Sequence, residues 1–135
     1  MIVFVDTNIL IDFVCSREPF ADAARKFFAR GYIGDYDLCT SALSFVNAMY
    51  IGHRYNHDEV KSSLMKLSEF VKVLDLQSTT VVEMLSSSWK DYEDATQNQT
   101  AILANADCIV TRNKKDFLES SLSVYTISEL FEVLN

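Results

Sequence analysis

The chain has 135 residues, 49% apolar and 23% charged, which suits one domain with a real core rather than a disordered segment. Its net charge of −7 argues against a broad basic nucleic-acid-binding face. A local basic groove, metal-assisted chemistry on RNA and a basic protein partner all stay open. No apolar run approaches the ~18 residues of a membrane span. The apolar start lacks a basic leader and is interrupted by Asp6 and Asp12, so no signal peptide is expected. Cys15, Cys39 and Cys108 are odd in number and widely spaced, which fits neither a disulfide framework nor a CxxC metal site. They are expected as reduced core thiols of a cytoplasmic protein.

Ile2 to Val5 is a short continuous apolar run and reads as a buried parallel strand. Thr7 or Asn8 can cap a short helix through about Val14. Pro19 stands at a second helix start, with Phe20, Ala23, Ala24, Phe27 and Phe28 at helical spacing and Gly31 as its end. "YDLCTS" is a second strand. Ser41 opens a helix to about Tyr55 with Leu43, Val46, Tyr50 and Ile51 inward, and Asp58 caps another to about Phe70. "FVKVLDL" is a third strand, "TTVVEMLSSS" a helix, and "DYEDATQNQTAILANA" a helix with an Ala-rich face. "DCIVT" is a fourth strand, "KDFLES" a helical turn, "SVYT" a fifth strand, and "SELFEVL" a closing helix capped by Ser128. Alternating strands and helices predict βαβ units: one domain over residues 1–135, with a mostly parallel five-stranded sheet between two helical layers.

Open parallel sheets bind ligands beyond the carboxyl ends of their strands. Asp6 ends the first strand and Ser41 the second. Thr111, Asn113 and Asp116 follow the fourth, and Asp91 and Asp94 begin the helix leading into it. Asp91 and Asp94 are three apart and share a helical face. Glu93 lies about 100° round from Asp94 and is expected in solvent. Each acid has a plainer reading: Asp6 as a helix cap, Asp91 and Asp94 as acids favouring a helix dipole, Asp116 as a solvated turn residue. Together they would repel one another and raise each other's pKa unless a cation were present. Mg²⁺ takes oxygen ligands and keeps several waters, so two or three carboxylates suffice, and such an ion could activate water beside a phosphodiester.

Four stretches, "VFVDTNILIDF", "CTSALSFVNAMYI", "KDYEDATQ" and "IVTRNKKDF", in this order and spacing, resemble the PIN-domain family of small metal-dependent ribonucleases, which includes VapC-type toxins. The resemblance spans essentially the whole chain. It implies a three-layer α/β/α fold, an Mg²⁺ or Mn²⁺ site and hydrolysis of RNA. On it, Asp6, Asp94 and Asp116 match metal ligands, and Asp6, Asp91, Asp94 and Asp116 form the catalytic set. Asn8, Ser41, Asn47, Thr111 and Asn113 would hydrogen-bond ligands or position water or phosphate. It also implies a small antitoxin partner and a homodimer. The departure is Asn47, where the family most often has Glu; an amide binds a hard cation more weakly than a carboxylate.

Arg112, Lys114 and Lys115 flank the expected site and lead the candidates for touching RNA backbone, ahead of Arg54, Lys61 and Lys66. His53 and His57 read as a solvated helix end, since no Glu follows His53 to make a zinc motif. There is no GxGxxG, P-loop or GxSxG. Three readings stand beside one another: a metal-dependent endoribonuclease, a phosphatase with Asp6 as nucleophile (disfavoured by Asn at position 8), and a PIN-like RNA- or protein-binding module whose site Asn47 has weakened.

Overall fold

A computed structural model describes residues 1–135. Five strands, β1 (Ile2–Val5), β2 (Asp37–Ser41), β3 (Val71–Leu74), β4 (Cys108–Val110) and β5 (Ser123–Tyr125), form one sheet in the order β3-β2-β1-β4-β5. Every pairing is parallel. Seven helices cover it: α1 (Thr7–Val14), α2 (Ala21–Tyr32), α3 (Ala42–Gly52), α4 (His57–Leu67), α5 (Ser78–Met84), α6 (Tyr92–Leu103) and α7 (Ile127–Leu134). The short strands are apolar throughout because both faces of the sheet are covered. Val3, Val5, Leu38, Cys108 and Val110 face the larger core cluster, with residues of α1, α2, α4 and α7; Phe4, Cys39 and Ile109 point the other way, onto Ala101 of α6, Ala106 and Phe117. Alternation along each strand thus sorts one apolar run between two cores.

The chain winds outward from β1 through β2 to β3, then returns to place β4 on the other side of β1. The connections diverge between β1 and β4, which puts a crevice at their carboxyl ends. Register sets Val5 opposite Val110, so Asp6 and Thr111 emerge side by side.

Several sequence expectations move when seen in three dimensions. On α3 the buried line is Ser44, Ala48 and Gly52, while Val46 is 65% and Tyr50 74% exposed. Small residues let α3 lie close to its neighbours: a Cβ on Gly52 would come within 2.4 Å of Val60 Cγ1. Gly31 does not end α2, which runs to Tyr32; its missing Cβ makes room for Leu38, and the positive φ of 92° belongs to Gly34. The cap of α4 is Asn56, not Asp58, and its side chain accepts from Glu59 N. The cap of α7 is Thr126, not Ser128, in a reciprocal capping box with Glu129. No helix is long and apolar enough to cross a membrane. Cys39 and Cys108 are buried and Cys15 half-buried, all free; burial pushes the Cys39 thiol up to about 11 and the Cys108 thiol to about 12, which keeps both inert.

Candidate active site

Asp6 is both cap and crevice acid. Its Oδ1 accepts from Thr7 N at 2.8 Å, closing the N-terminus of α1. Its Oδ2 accepts from the Thr111 hydroxyl at 2.7 Å, across the β1–β4 crevice. The side chain is 8% exposed and has no cationic partner in any ion pair. Burial raises its pKa first of all; the Thr111 and Thr7 bonds oppose that, and the charges of Glu93 and Asp116 add to it.

Thr111 is the hub of the crevice. While donating to Asp6 it accepts from Asn8 Nδ2 at 3.3 Å and from Asn113 N at 3.0 Å. Asn8 Oδ1 also accepts from Arg112 N at 3.5 Å, so Asn8 ties α1 to the turn after β4. Asn113 precedes a 3₁₀ turn, Lys114–Phe117, whose Phe117 is buried and meets the Trp89 ring edge-on at 6.0 Å. That contact draws the start of α6 and the 3₁₀ turn together, with Asp91 and Asp94 on one side and Asp116 on the other.

Asp91 caps α6, its Oδ1 accepting from Asp94 N at 3.0 Å. Asp94 is held up to about 7, by burial first and then by the charges of Asp91, Asp6, Asp116 and Glu93. A cleft of about 700 Å³ is lined by Trp89, Lys90, Asp91, Asp94, Lys115, Asp116, Leu118 and Glu119. A second hollow of about 400 Å³ is lined by Thr7, Asn47, Tyr50, Ile51, Arg54 and Glu93.

Glu93 is exposed, as its helical position predicts, yet it is not directed away from the site. Asn47 Nδ2 donates to Glu93 Oε1 at 3.2 Å, and the Glu93 charge bears on both Asp6 and Asp94. Positions 93 and 94 lie about 100° apart round α6, and the position of α3 alongside, which no local pattern gives, brings Asn47 to meet Glu93. Ser41 is buried beneath, its Oγ accepting from Ser44 N at 3.0 Å as the cap of α3. Gln97, one turn beyond Glu93, was not anticipated. It is buried and donates to Thr7 Oγ1 at 3.3 Å and Ser44 Oγ at 3.0 Å. An i, i+4 spacing from Glu93 is the signal that could have found it.

The basic residues divide. The Arg112 guanidinium is engaged by Asp12, with Nε to Oδ2 at 2.6 Å, and lies 3.8 Å over the Phe20 ring. Lys114 pairs with Glu129 at 3.0 Å. Lys115 lines the acidic cleft with Lys90, and neither forms an ion pair. Arg54 lines the second hollow. His53 and His57 meet edge-on at 5.5 Å at the α3–α4 turn.

The donors around the crevice are carboxylates, amides and hydroxyls, all hard oxygen ligands. No three acids, histidines or cysteines close on one point. Crowded acids, two of them with raised pKa values and none in an ion pair, fit a hard divalent ion that keeps most of its waters and touches one or two carboxylates.

A family model of the PIN domain matches residues 2–115. No curated protein matches the sequence. Among solved structures, VapBC-1 from nontypeable Haemophilus influenzae aligns over 95% of this chain and 99% of its own, with TM-score 0.69 and 20% identity. A toxin–antitoxin complex from Klebsiella pneumoniae aligns over 93% of this chain and 97% of its own, at TM-score 0.67 and 24% identity. VapC20 of Mycobacterium tuberculosis, a sarcin–ricin loop cleaving toxin, aligns over 79% and 86%, at TM-score 0.64 and 14% identity. These likenesses show a shared fold, and with the family match over most of its length the chain belongs to the PIN-domain family.

Proposed function

We propose that the chain is a divalent-metal-dependent endoribonuclease acting as the toxin of a toxin–antitoxin pair. The observation that carries the reading is Asp6: a buried carboxylate at the crevice, bound only by neutral donors and ringed by Glu93, Asp94 and Asp116. Asp6, Asp94 and Asp116 are the residues that would hold Mg²⁺ or Mn²⁺, with Asp91 beside them. When bound there, such an ion would neutralise phosphodiester charge and lower the pKa of a water.

The rest of the work falls to the chain. Thr7 N and the Thr111 hydroxyl fix the two oxygens of Asp6 in direction, and Asn8 fixes Thr111. Asp94, held up to about 7 in the metal-free crevice, would give up its proton as the ion binds. Ser41 shapes the α3 start, and Asn47 and Asn113 offer amides to water or phosphate. Lys115 and Lys90 are placed to hold an RNA backbone against an otherwise repulsive cleft, with Arg54 beyond Glu93. Arg112 and Lys114 act by shaping the turn that carries Lys115. The protein partners in this reading are a small antitoxin and a second copy of the chain, in the cytoplasm. An apolar groove of about 560 Å³ among Phe45, Val46, Met49, Leu64, Met65 and Val73 supports protein docking.

The test is RNA cleavage by purified protein in Mg²⁺ or Mn²⁺, alongside Asp6→Asn and Asp94→Asn. We expect cleavage that both substitutions and EDTA abolish. Cleavage that ignores EDTA, or survives both substitutions, would overturn the metal-nuclease reading. Absence of cleavage and of metal binding would favour the alternative, a PIN-fold binding module.

A further inference from the structure

The cleft between the start of α6 and the 3₁₀ turn holds more than acids. On one wall, in the link from α5 to α6, stand Trp89 and Lys90; on the other stand Lys115 and Leu118. Trp89 is the one tryptophan of the chain. It is half-buried: its ring meets Phe117 edge-on at 6.0 Å and packs on the smaller core cluster, and it also lines the cleft. Packing on Phe117 accounts for the buried part of the indole and leaves the part that borders the cleft. Leu118 is 82% exposed. A single exposed leucine is ordinary. This one borders the same cleft as the indole, together with two lysines that form no ion pair.

A metal ion and its waters need none of these four side chains. A nucleotide uses all of them: ammonium groups for phosphate, and flat or apolar surface for the base. Charge sharpens the point. The chain carries −7, and the cleft itself holds Asp91, Asp94, Asp116 and Glu119, so attraction of phosphate to two lysines is a small source of affinity. Stacking of a base on an aromatic ring does not depend on charge and accepts every base. A paired base inside an A-form duplex is covered on both faces by its neighbours, so only an unpaired one can use such a ring.

We propose that Trp89 is the platform on which an unpaired nucleobase of the RNA stacks, with Leu118 on the facing wall and Lys90 and Lys115 on the adjoining phosphates. The form of RNA this cleft takes is a single strand or a loop, with one base drawn out beside the acids. Trp89 binds and orients the strand; it takes no part in breaking the bond. This rests on the nuclease reading above and names the form of its substrate.

The test uses the fluorescence of the full chain, whose only indole is Trp89. A short single-stranded oligoribonucleotide of mixed sequence is titrated in Ca²⁺ and checked intact on a gel, and binding is followed in parallel by the anisotropy of a labelled copy. Saturable quenching of Trp89 is expected, with the Kd that anisotropy gives. The same strand annealed to its complement should bind about tenfold weaker or worse. Trp89→Ala should bind the single strand about tenfold weaker, and Trp89→Phe within about threefold of the parent. The log–log slope of binding against salt should be about −1.4, for two lysines on two phosphates of a single strand. Binding seen by anisotropy with no change in Trp89 emission would overturn the inference, and it needs no variant to fold. So would no binding, equal affinity for the duplex, Trp89→Ala binding as tightly as the parent, or a slope steeper than about −3, which would place the RNA on a broader basic face. Cleavage in Mn²⁺ separates the two levels. If EDTA and Asp6→Asn abolish cleavage while Trp89→Ala binds and cuts like the parent, only the role of Trp89 fails. If RNA quenches Trp89 but cleavage ignores EDTA, the metal reading fails and the stacking site stands.

Discussion

Two aspartates flank α1, one at its cap and one near its end, and both are buried. Asp12, 1% exposed, accepts from Arg17 Nε at 2.9 Å and from Arg112 Nε at 2.6 Å, and both its oxygens are matched by guanidinium groups. Asp6, 8% exposed, has a backbone N–H and a threonine hydroxyl, and every charge acting on it is negative. Both escape the full cost of a buried carboxylate, by different means. Asp12 finds its cations inside the chain and welds α1 to the turn after β4. Asp6 has no such cation within the chain, its neighbours hold it still, and in the proposed reading it is left for a cation from outside. A buried acid neutralised by the fold is structural; one kept in place but not neutralised is available for chemistry.

The largest effect should come from breaking the neutralised one. Asp12→Ala leaves Arg17 and Arg112 facing each other without their anion, and should cost about 3 kcal/mol, or about 10 °C in Tm. Urea unfolding measures it; a loss under about 1 kcal/mol would mean the triad is no more than a surface pair.

Asp6→Asn should do the opposite. RNA cleavage should fall by about a hundredfold or more, equal to about 2.7 kcal/mol of transition-state stabilisation. Its Tm in EDTA should hold or rise, because a buried charge with no counterion has been removed. A Tm drop matching that of Asp12→Ala would erase the distinction between the two acids.

The third prediction turns on Asp94, held up to about 7 against an ordinary 3.8. Between those values the folded metal-free protein binds more protons than the unfolded chain, so stability falls as pH rises through this range. Asp94→Asn removes that loss. Measured in EDTA near neutral to mildly alkaline pH, it should be the more stable protein by about 1 kcal/mol, after discounting for partial solvent exposure. Parallel melting curves of the two proteins across this range would rule out the crowding of acids. Mn²⁺ binding should release protons and tighten as pH rises through about 7.

The smallest effect belongs to Thr111→Val, which deletes the donor at 2.7 Å and leaves Asp6 with Thr7 N alone. Losing one such bond should cost about 1 kcal/mol and move the acid limb of the cleavage profile upward, since that bond holds the Asp6 pKa down. An unmoved limb would show that Thr111 only supports the turn.

Much of the fold was legible from local pattern. All five strands and seven helices lie where apolar runs, 3.6-residue spacing and turn residues place them, because both periodicities are properties of the backbone itself. The errors are those that neighbours decide. Asn56 rather than Asp58 caps α4, since the cap goes to whichever residue leaves helical φ and ψ first. Val46 and Tyr50 are exposed because α3 packs through Ser44, Ala48 and Gly52, a close approach that hydrophobicity does not predict. Asp6, Asp94 and Asp116 were legible as acids at strand ends and helix starts. Gln97 was not, being an uncharged residue on a buried face.

By itself the sequence determined that acids stand at the carboxyl edge of a parallel sheet, since strand order along the chain and the alternation of elements settle that edge. Only the tertiary structure decided which acids would be neutralised and which left open. Asp12 meets Arg112 across 100 positions, and Asn47 meets Glu93 across 46. A charge is matched by what lies within a few ångströms of it, and that proximity is made by packing, not by sequence distance.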